Sequence, residues 1–180
     1  MLIHGGTVTR KYLTTRRTLV KAFYPGTFDP AHNGHVDVAH RAANIFEEVI
    51  IGVYDAPPKS LMFDASERVR LFEQALEPVQ NVKVVSFKGL APDMAREVGS
   101  KVILRGLRAG FDFEQEFEMA LMWRNLAPDI DVLCIMSALE HQFIYASRIK
   151  EVARLGADIS NLAPKHIVEA IAHKINKKND

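Results

Sequence analysis

Short apolar runs alternate along this chain with longer stretches whose apolar residues recur at helical spacing. The runs at 19–24, 48–54, 82–87, 102–104 and 131–136 read as buried strands. Between the first two, Val36, Ala39, Ala43 and Phe46 keep the period of a helix. Val69, Leu71, Phe72, Ala75 and Leu76 define a second. Asp64 suits its N-cap, Glu67 the capping-box position, and Pro78 ends it. Pro92 fits the first turn of a short helix, where its missing N–H costs nothing. Further helices are predicted at 111–126, 147–155 and 164–174, before a polar tail at 176–180. Strands alternating with helices predict an α/β fold. The expectation is a Rossmann-like five-stranded parallel sheet with helices on both faces, in a single domain at 19–175.

The first strand runs into Pro25-Gly26-Thr27-Phe28-Asp29-Pro30-Ala31-His32-Asn33-Gly34-His35. Pro25, Gly26 and Pro30 predict a turn, and Gly26 lets the backbone approach a ligand closely. Asn33 or Gly34 is the expected N-cap of the helix that follows. A strand, a Gly/Pro loop and a helix N-terminus together offer unpaired amides and a positive dipole end to an anion. His32 and His35 share one face of the first turn. In parallel sheets ligands bind at the carboxyl ends of the strands, near the reversal of strand order. The loops after the first, second, fourth and fifth strands carry His32 and His35, Lys59, Arg105 and Arg108, and His141. Their placement predicts one phosphate-binding cleft, lined by arginine forks and a lysine held between a proline pair and a serine. The two histidines also suit zinc, but no third ligand of matching spacing is evident, and no metal site is expected.

Composition narrows the class. The chain has 180 residues, a formal net charge of +1 and one cysteine, Cys134, set in an apolar run. A lone cysteine forms no internal disulfide; a buried structural thiol and a cytoplasmic protein are expected. No apolar run is long enough to span a bilayer. Arg10, Lys11, Arg16, Arg17 and Lys21 stand without an acid in residues 1–21, leaving the remainder mildly acidic. That distribution argues against a nucleic-acid binder, which needs a broad basic face. Residues 1–18 are expected to form a basic, poorly ordered extension.

The H-x-G-H of His32 to His35 resembles the signature of the nucleotidyltransferase superfamily. The run YPGTFDP…NGH, with Lys59, Arg105-Gly106-Leu107-Arg108, Asp112-Phe113-Glu114, Glu116 and Lys150-Glu151-Val152-Ala153, is similar to the phosphopantetheine adenylyltransferases over about residues 20–175. The resemblance implies transfer of AMP from ATP to 4′-phosphopantetheine, giving dephospho-CoA and pyrophosphate in coenzyme A synthesis. It implies catalytic roles for His35, Lys59 and Arg108. It assigns ATP to Thr27, Phe28, His32, His35, Gly106, Leu107, Arg108, Glu116 and the segment His141, Gln142, Phe143, Ile144, Tyr145, Ala146 and Ser147. It assigns phosphopantetheine to Thr27, Lys59, Leu90, Ala91 and Arg105. Mg²⁺ borne by ATP, a homohexamer and inhibition by coenzyme A are further implications. The family pattern near 141–147 is roughly W-x-F-I-S-S-S, so His141, Tyr145 and Ala146 depart from it and remove two serine hydroxyls. Two rivals stay open. One is a nucleotidyltransferase acting on nicotinamide mononucleotide or glycerol phosphate; the other is a nucleotide- or CoA-binding protein with weakened turnover.

Overall fold

Each of the five apolar runs forms a strand in the computed structural model, which describes residues 20–55, 57, 60–108 and 110–177. The order is β1 (Lys21–Gly26), α1 (Asn33–Ala43), β2 (Glu48–Tyr54), α2 (Ala65–Leu76), β3 (Val82–Phe87) and α3 (Ala91–Glu97). Then come β4 (Val102–Leu107), α4 (Gly110–Leu126), β5 (Asp131–Met136), a 3-10 turn at Leu139–His141, α5 (Ala146–Arg154) and α6 (Lys165–Asn176). All strands are parallel, in the spatial order β3-β2-β1-β4-β5. The Rossmann-like single-domain sheet is as expected; residues 1–18 and Lys59 lie outside the described residues.

Alternation along the strands divides the core between two faces. Ala22 and Tyr24 of β1 pack with Val38, Ala39 and Ala42 of α1, Phe72 of α2, Ile149 of α5 and Ile167 of α6. Phe23 points the other way, into a smaller cluster with Ile50, Phe87, Ala95 and Ile130. Gly52 of β2 makes room for Phe23: a Cβ there would stand 2.4 Å from the phenyl ring. Asp64 caps α2, accepting from the Glu67 N–H at 2.8 Å, while the Glu67 carboxylate accepts from the Asp64 N–H at 2.9 Å.

Strand order reverses at β1, and there the sheet opens. β1 pairs with β2 along its whole length, from Lys21↔Glu48 to Gly26↔Val53, but with β4 only at Phe23↔Ile103. This corrects the expected turn at Pro25 and Gly26, which belong to the strand. β4 has parted from β1 by Pro25, so the proline's missing donor interrupts no ladder on that side. The Pro25 carbonyl accepts instead from Arg105 Nη1 at 2.8 Å.

Three further expectations change. The N-cap of α1 is His32, with extended dihedrals, rather than Asn33 or Gly34. Asn33 is engaged by the loop before α6: its N–H donates to the Leu162 carbonyl and its side-chain amide to that of Asn161. Cys134 is exposed, not buried. It lies on β5, an outer strand whose Leu133 and Met136 are 47% and 61% exposed. The neighbouring helix α4 likewise exposes Phe113, Phe117, Leu121, Met122 and Leu126.

Candidate active site

A cavity of about 450 Å³ lies where β1 and β4 diverge, between the β1–α1 loop, the end of β4 and the start of α5. Thr27, Phe28, His32, His35, Gly106, Arg105, Arg108, Glu116, Tyr145, Ala146 and Ser147 all line it. The structure thus gathers residues from four separated segments of chain at one place.

The β1–α1 loop is the most constrained of these. Phe28 has φ 51°, the left-handed region that a bulky residue rarely adopts. Its ring is packed edge-on against Tyr24, His35 and Phe72 at centroid distances of 5.3, 4.9 and 4.8 Å. Such backbone persists only where packing over-determines it. Two buried charges fix the loop further. Arg68 of α2 is 1% exposed and donates to the carbonyls of Thr27 and Tyr54 at 2.7 and 2.8 Å. Asp29 accepts from the N–H groups of Met62 and Phe63 and from Lys150 Nζ at 2.5 Å. It ties the β1–α1 loop to the segment after β2 and to α5.

The two histidines stack, with ring centroids 3.6 Å apart and planes at 23°. Both nitrogens of His32, and Nδ1 of His35 and of His141, are buried without a hydrogen-bond partner among the described residues. Buried polar atoms are rarely left so, and each here calls for an explanation. Burial, with the nearby Arg108 charge, lowers the His32 pKa to about 3. Burial and the neighbouring His32 hold His35 well below the ordinary histidine range. Both rings are therefore neutral near pH 7. Burial keeps the Tyr24 hydroxyl, on the cavity wall, well above its usual range and so protonated.

The arginines are held in place rather than free. Arg105 Nε and Nη2 donate to the two oxygens of Glu116, each at 2.6 Å. Burial would lower its pKa, but the Glu116 bonds and charge outweigh that and raise it. Arg108 donates to Asp112 at 2.6 Å through Nε and to the Ile144 carbonyl at 3.0 Å through Nη1. Its guanidinium lies 4.1 Å from the Tyr145 ring centroid. The residue that replaces a serine thus gives Arg108 an aromatic platform.

Not every expected residue reaches the cavity wall. Leu90 and Ala91 stand at the start of α3, the first 52% exposed and the second buried in the smaller core. Leu107, His141, Gln142, Phe143 and Ile144 are not on the wall. Phe143 is 64% exposed, Ile144 is buried, and Gln142 reaches the Ser137 carbonyl. Glu116, which lines the cavity, is paired there with Arg105. Asp29, Arg68, Ser137 and Lys150 carried no assignment. Lys150 stood within a motif, and a buried arginine among helix residues has no sequence mark.

Known proteins resemble this chain over most of its length. The cytidylyltransferase-like family model matches residues 23–152. A phosphopantetheine adenylyltransferase of Thermomicrobium roseum is 52% identical over 157 residues, 86% of this chain and 94% of that protein. Proteins of the same name from Alkaliphilus metalliredigens and Roseiflexus are 44% and 43% identical. They cover 84% and 87% of this chain, and 96% and 98% of their own lengths are matched.

Proposed function

The chain belongs to the cytidylyltransferase-like family and, within it, to the phosphopantetheine adenylyltransferases, and from that premise we propose how its cleft carries out adenylyl transfer. ATP and 4′-phosphopantetheine bind end to end. An acceptor phosphate oxygen attacks the α-phosphorus in line as the bond to the leaving pyrophosphate breaks, and dephospho-CoA forms. The acceptor is already an anion, so no covalent enzyme intermediate is needed. Catalysis is then positioning and charge stabilisation. The observation that carries this reading is the convergence of His35, Arg105 and Arg108 on one cavity, where both nitrogens of His32 and Nδ1 of His35 are buried without a partner among the described residues.

The roles follow from chemistry. A neutral His35 acts as a fixed N–H donor to the oxygens that gain charge at the α-phosphorus. Arg108 takes the triphosphate, and Arg105 takes the acceptor phosphate with Lys59. Thr27 and the start of α5, with Ala146 and Ser147, supply donors to the nucleotide. Mg²⁺ fits as an ion carried by ATP rather than by the protein. Asp29, Asp112 and Glu116 already engage Lys150, Arg108 and Arg105, and no group of three or more His, Cys, Asp or Glu able to hold a metal occurs among the described residues. When bound it would offset phosphate charge. Coenzyme A shares the adenylate and pantetheine parts of the product and competes for the same cleft. The exposed apolar side chains of α4 and β5 support a homo-oligomer, which we take to be a hexamer. No helix among the described residues is long and apolar enough to cross a membrane, and water-soluble substrates support a cytoplasmic setting.

The test is pyrophosphate release from ATP or CTP with 4′-phosphopantetheine, nicotinamide mononucleotide or glycerol 3-phosphate. Release is expected with ATP and 4′-phosphopantetheine alone. Preference for another pair, or binding of both substrates with no release, overturns the reading.

A further inference from the structure

A second concavity of about 480 Å³ adjoins the catalytic cavity and shares Ser60 and Lys150 with it. Its wall adds Arg154, Lys174 and Lys177. Lys150 and Arg154 are four residues apart on α5 and so lie on one side of that helix. Lys174 and Lys177 come from the end of α6. Two helices thus bring four cations to one hollow. Two are neutralised within the protein: Lys150 by Asp29 at 2.5 Å and Lys174 by Glu67 at 2.7 Å. Arg154 and Lys177 form no ion pair among the described residues. A hollow lined by one sign of charge focuses the field and concentrates counter-ions.

The placement is directional. Ala146 and Ser147, at the start of α5, line the catalytic cavity; Lys150 stands at the boundary; Arg154 lies only in the second hollow. A cationic track therefore leads out of the cleft along one helix. Buried Asp29, held by the Met62 and Phe63 N–H groups, keeps Lys150 at that threshold. The bland alternative is a set of solvated surface charges. It does not account for the shared wall, or for cations from two helices, unpaired among the described residues, facing one concavity.

We propose that this basin is a polyphosphate-binding site that receives inorganic pyrophosphate as it leaves the catalytic cavity. The inference rests on the adenylyl-transfer reading. In that step the bond from the α-phosphorus to its bridging oxygen breaks, and pyrophosphate departs with the electron pair. The departing anion exchanges contacts at the α5 start for Lys150 and then for Arg154 and Lys177.

Equilibrium binding of inorganic pyrophosphate, read by calorimetry without turnover, tests this separately from the reaction itself. The variant is Arg154→Ala with Lys177→Ala, both exposed, so folding should be retained. Loss of these charge-assisted contacts should weaken pyrophosphate binding about tenfold or more. Binding of a non-hydrolysable ATP analogue should change less than about twofold, because its phosphates stay in the cleft. A control, Lys101→Ala with Arg124→Ala, should leave both unchanged. In the reverse reaction the pyrophosphate KM should rise while that of dephospho-CoA holds. Unchanged pyrophosphate affinity, an equal loss of ATP-analogue affinity, or an equal effect of the control pair each overturns the proposal.

Discussion

The carboxylate of Glu116 and the guanidinium of Arg105 meet through two parallel hydrogen bonds of 2.6 Å, at the point where β4 leaves β1. A third donor of the same guanidinium takes the Pro25 carbonyl. Glu116 therefore aims an arginine. Replacing Glu116 by Gln keeps the shape but halves the donor–acceptor match and removes the charge. The loss of roughly 1 kcal/mol should raise the KM for phosphopantetheine about fivefold. The ATP KM should stay nearly constant. A selective rise in the ATP KM would instead mean that the carboxylate meets the nucleotide.

His35→Ala tests the donor role directly. One lost donor to the developing charge should lower kcat on the order of 10²–10³-fold, with both KM values little changed. Steady-state kinetics on a variant verified by circular dichroism decides it. Near-normal turnover would remove His35 from the mechanism.

The stacked imidazoles predict a pH dependence of stability. In the unfolded chain a histidine titrates near its ordinary value, whereas in the fold His32 titrates at about 3 and His35 well below the usual range. The unfolded state thus binds more protons below about pH 6.5. The stability from keeping these rings neutral is present above that pH and is lost as pH falls toward 3. His32 contributes a slope of about 1.4 kcal/mol per pH unit in that window, and His35 adds to it in the same direction. Urea unfolding at pH 7 and pH 5 should show a shallower loss for His32→Gln than for the unaltered protein. Parallel curves would place the acid sensitivity elsewhere.

Much of this architecture was legible in the sequence, and what was missed has a physical cause. Period and punctuation located every strand, and Asp64 with Glu67 announced the start of α2, because these are local signals. Pro25 and Gly26 misled because their place in β1 depends on where β4 turns away, a fact of tertiary structure. Cys134 sits in an apolar run that looks buried, but apolarity does not say whether the chain's own helices cover the strand. The motif residues His35, Arg105 and Arg108 were found as cleft residues. The contacts that hold the β1–α1 loop were not, since Asp29 with Lys150 and Thr27 with Arg68 meet across distant segments of chain.

Tyr145 reverses an expectation drawn from the serine it replaces. Restoring a serine would seem to add a hydroxyl for the nucleotide. The ring, however, lies 4.1 Å from the Arg108 guanidinium, a contact worth about 0.5–2 kcal/mol. Tyr145→Ser should therefore raise the ATP KM several-fold, whereas Tyr145→Phe, which keeps the ring, should not. A tighter ATP interaction in the serine variant would show that the hydroxyl outweighs the platform.

The exposed apolar surface of α4 and β5 leads to the last prediction. Phe113 and Phe117 stack at 5.9 Å on the outer side of α4 and are 57% and 53% exposed. Leu121 and Met122 of α4 and Met136 of β5 are each more than half exposed. Isolated exposed apolar residues are ordinary, but a run along one helix and the outer strand beside it marks an interaction surface. α4 also carries Glu116 and Asp112, the partners of Arg105 and Arg108, so whatever covers this helix steadies the arginines of the cleft. Phe117→Glu with Met122→Glu places two charges where a neighbouring copy would have to desolvate them, at several kcal/mol each. Sedimentation velocity should then show a monomer in place of a larger assembly. The phosphopantetheine KM should rise in parallel, because Arg105 loses its fixed partner. An unaltered assembly would move the subunit contact to another face, and a monomer with normal KM would uncouple the contact from the cleft.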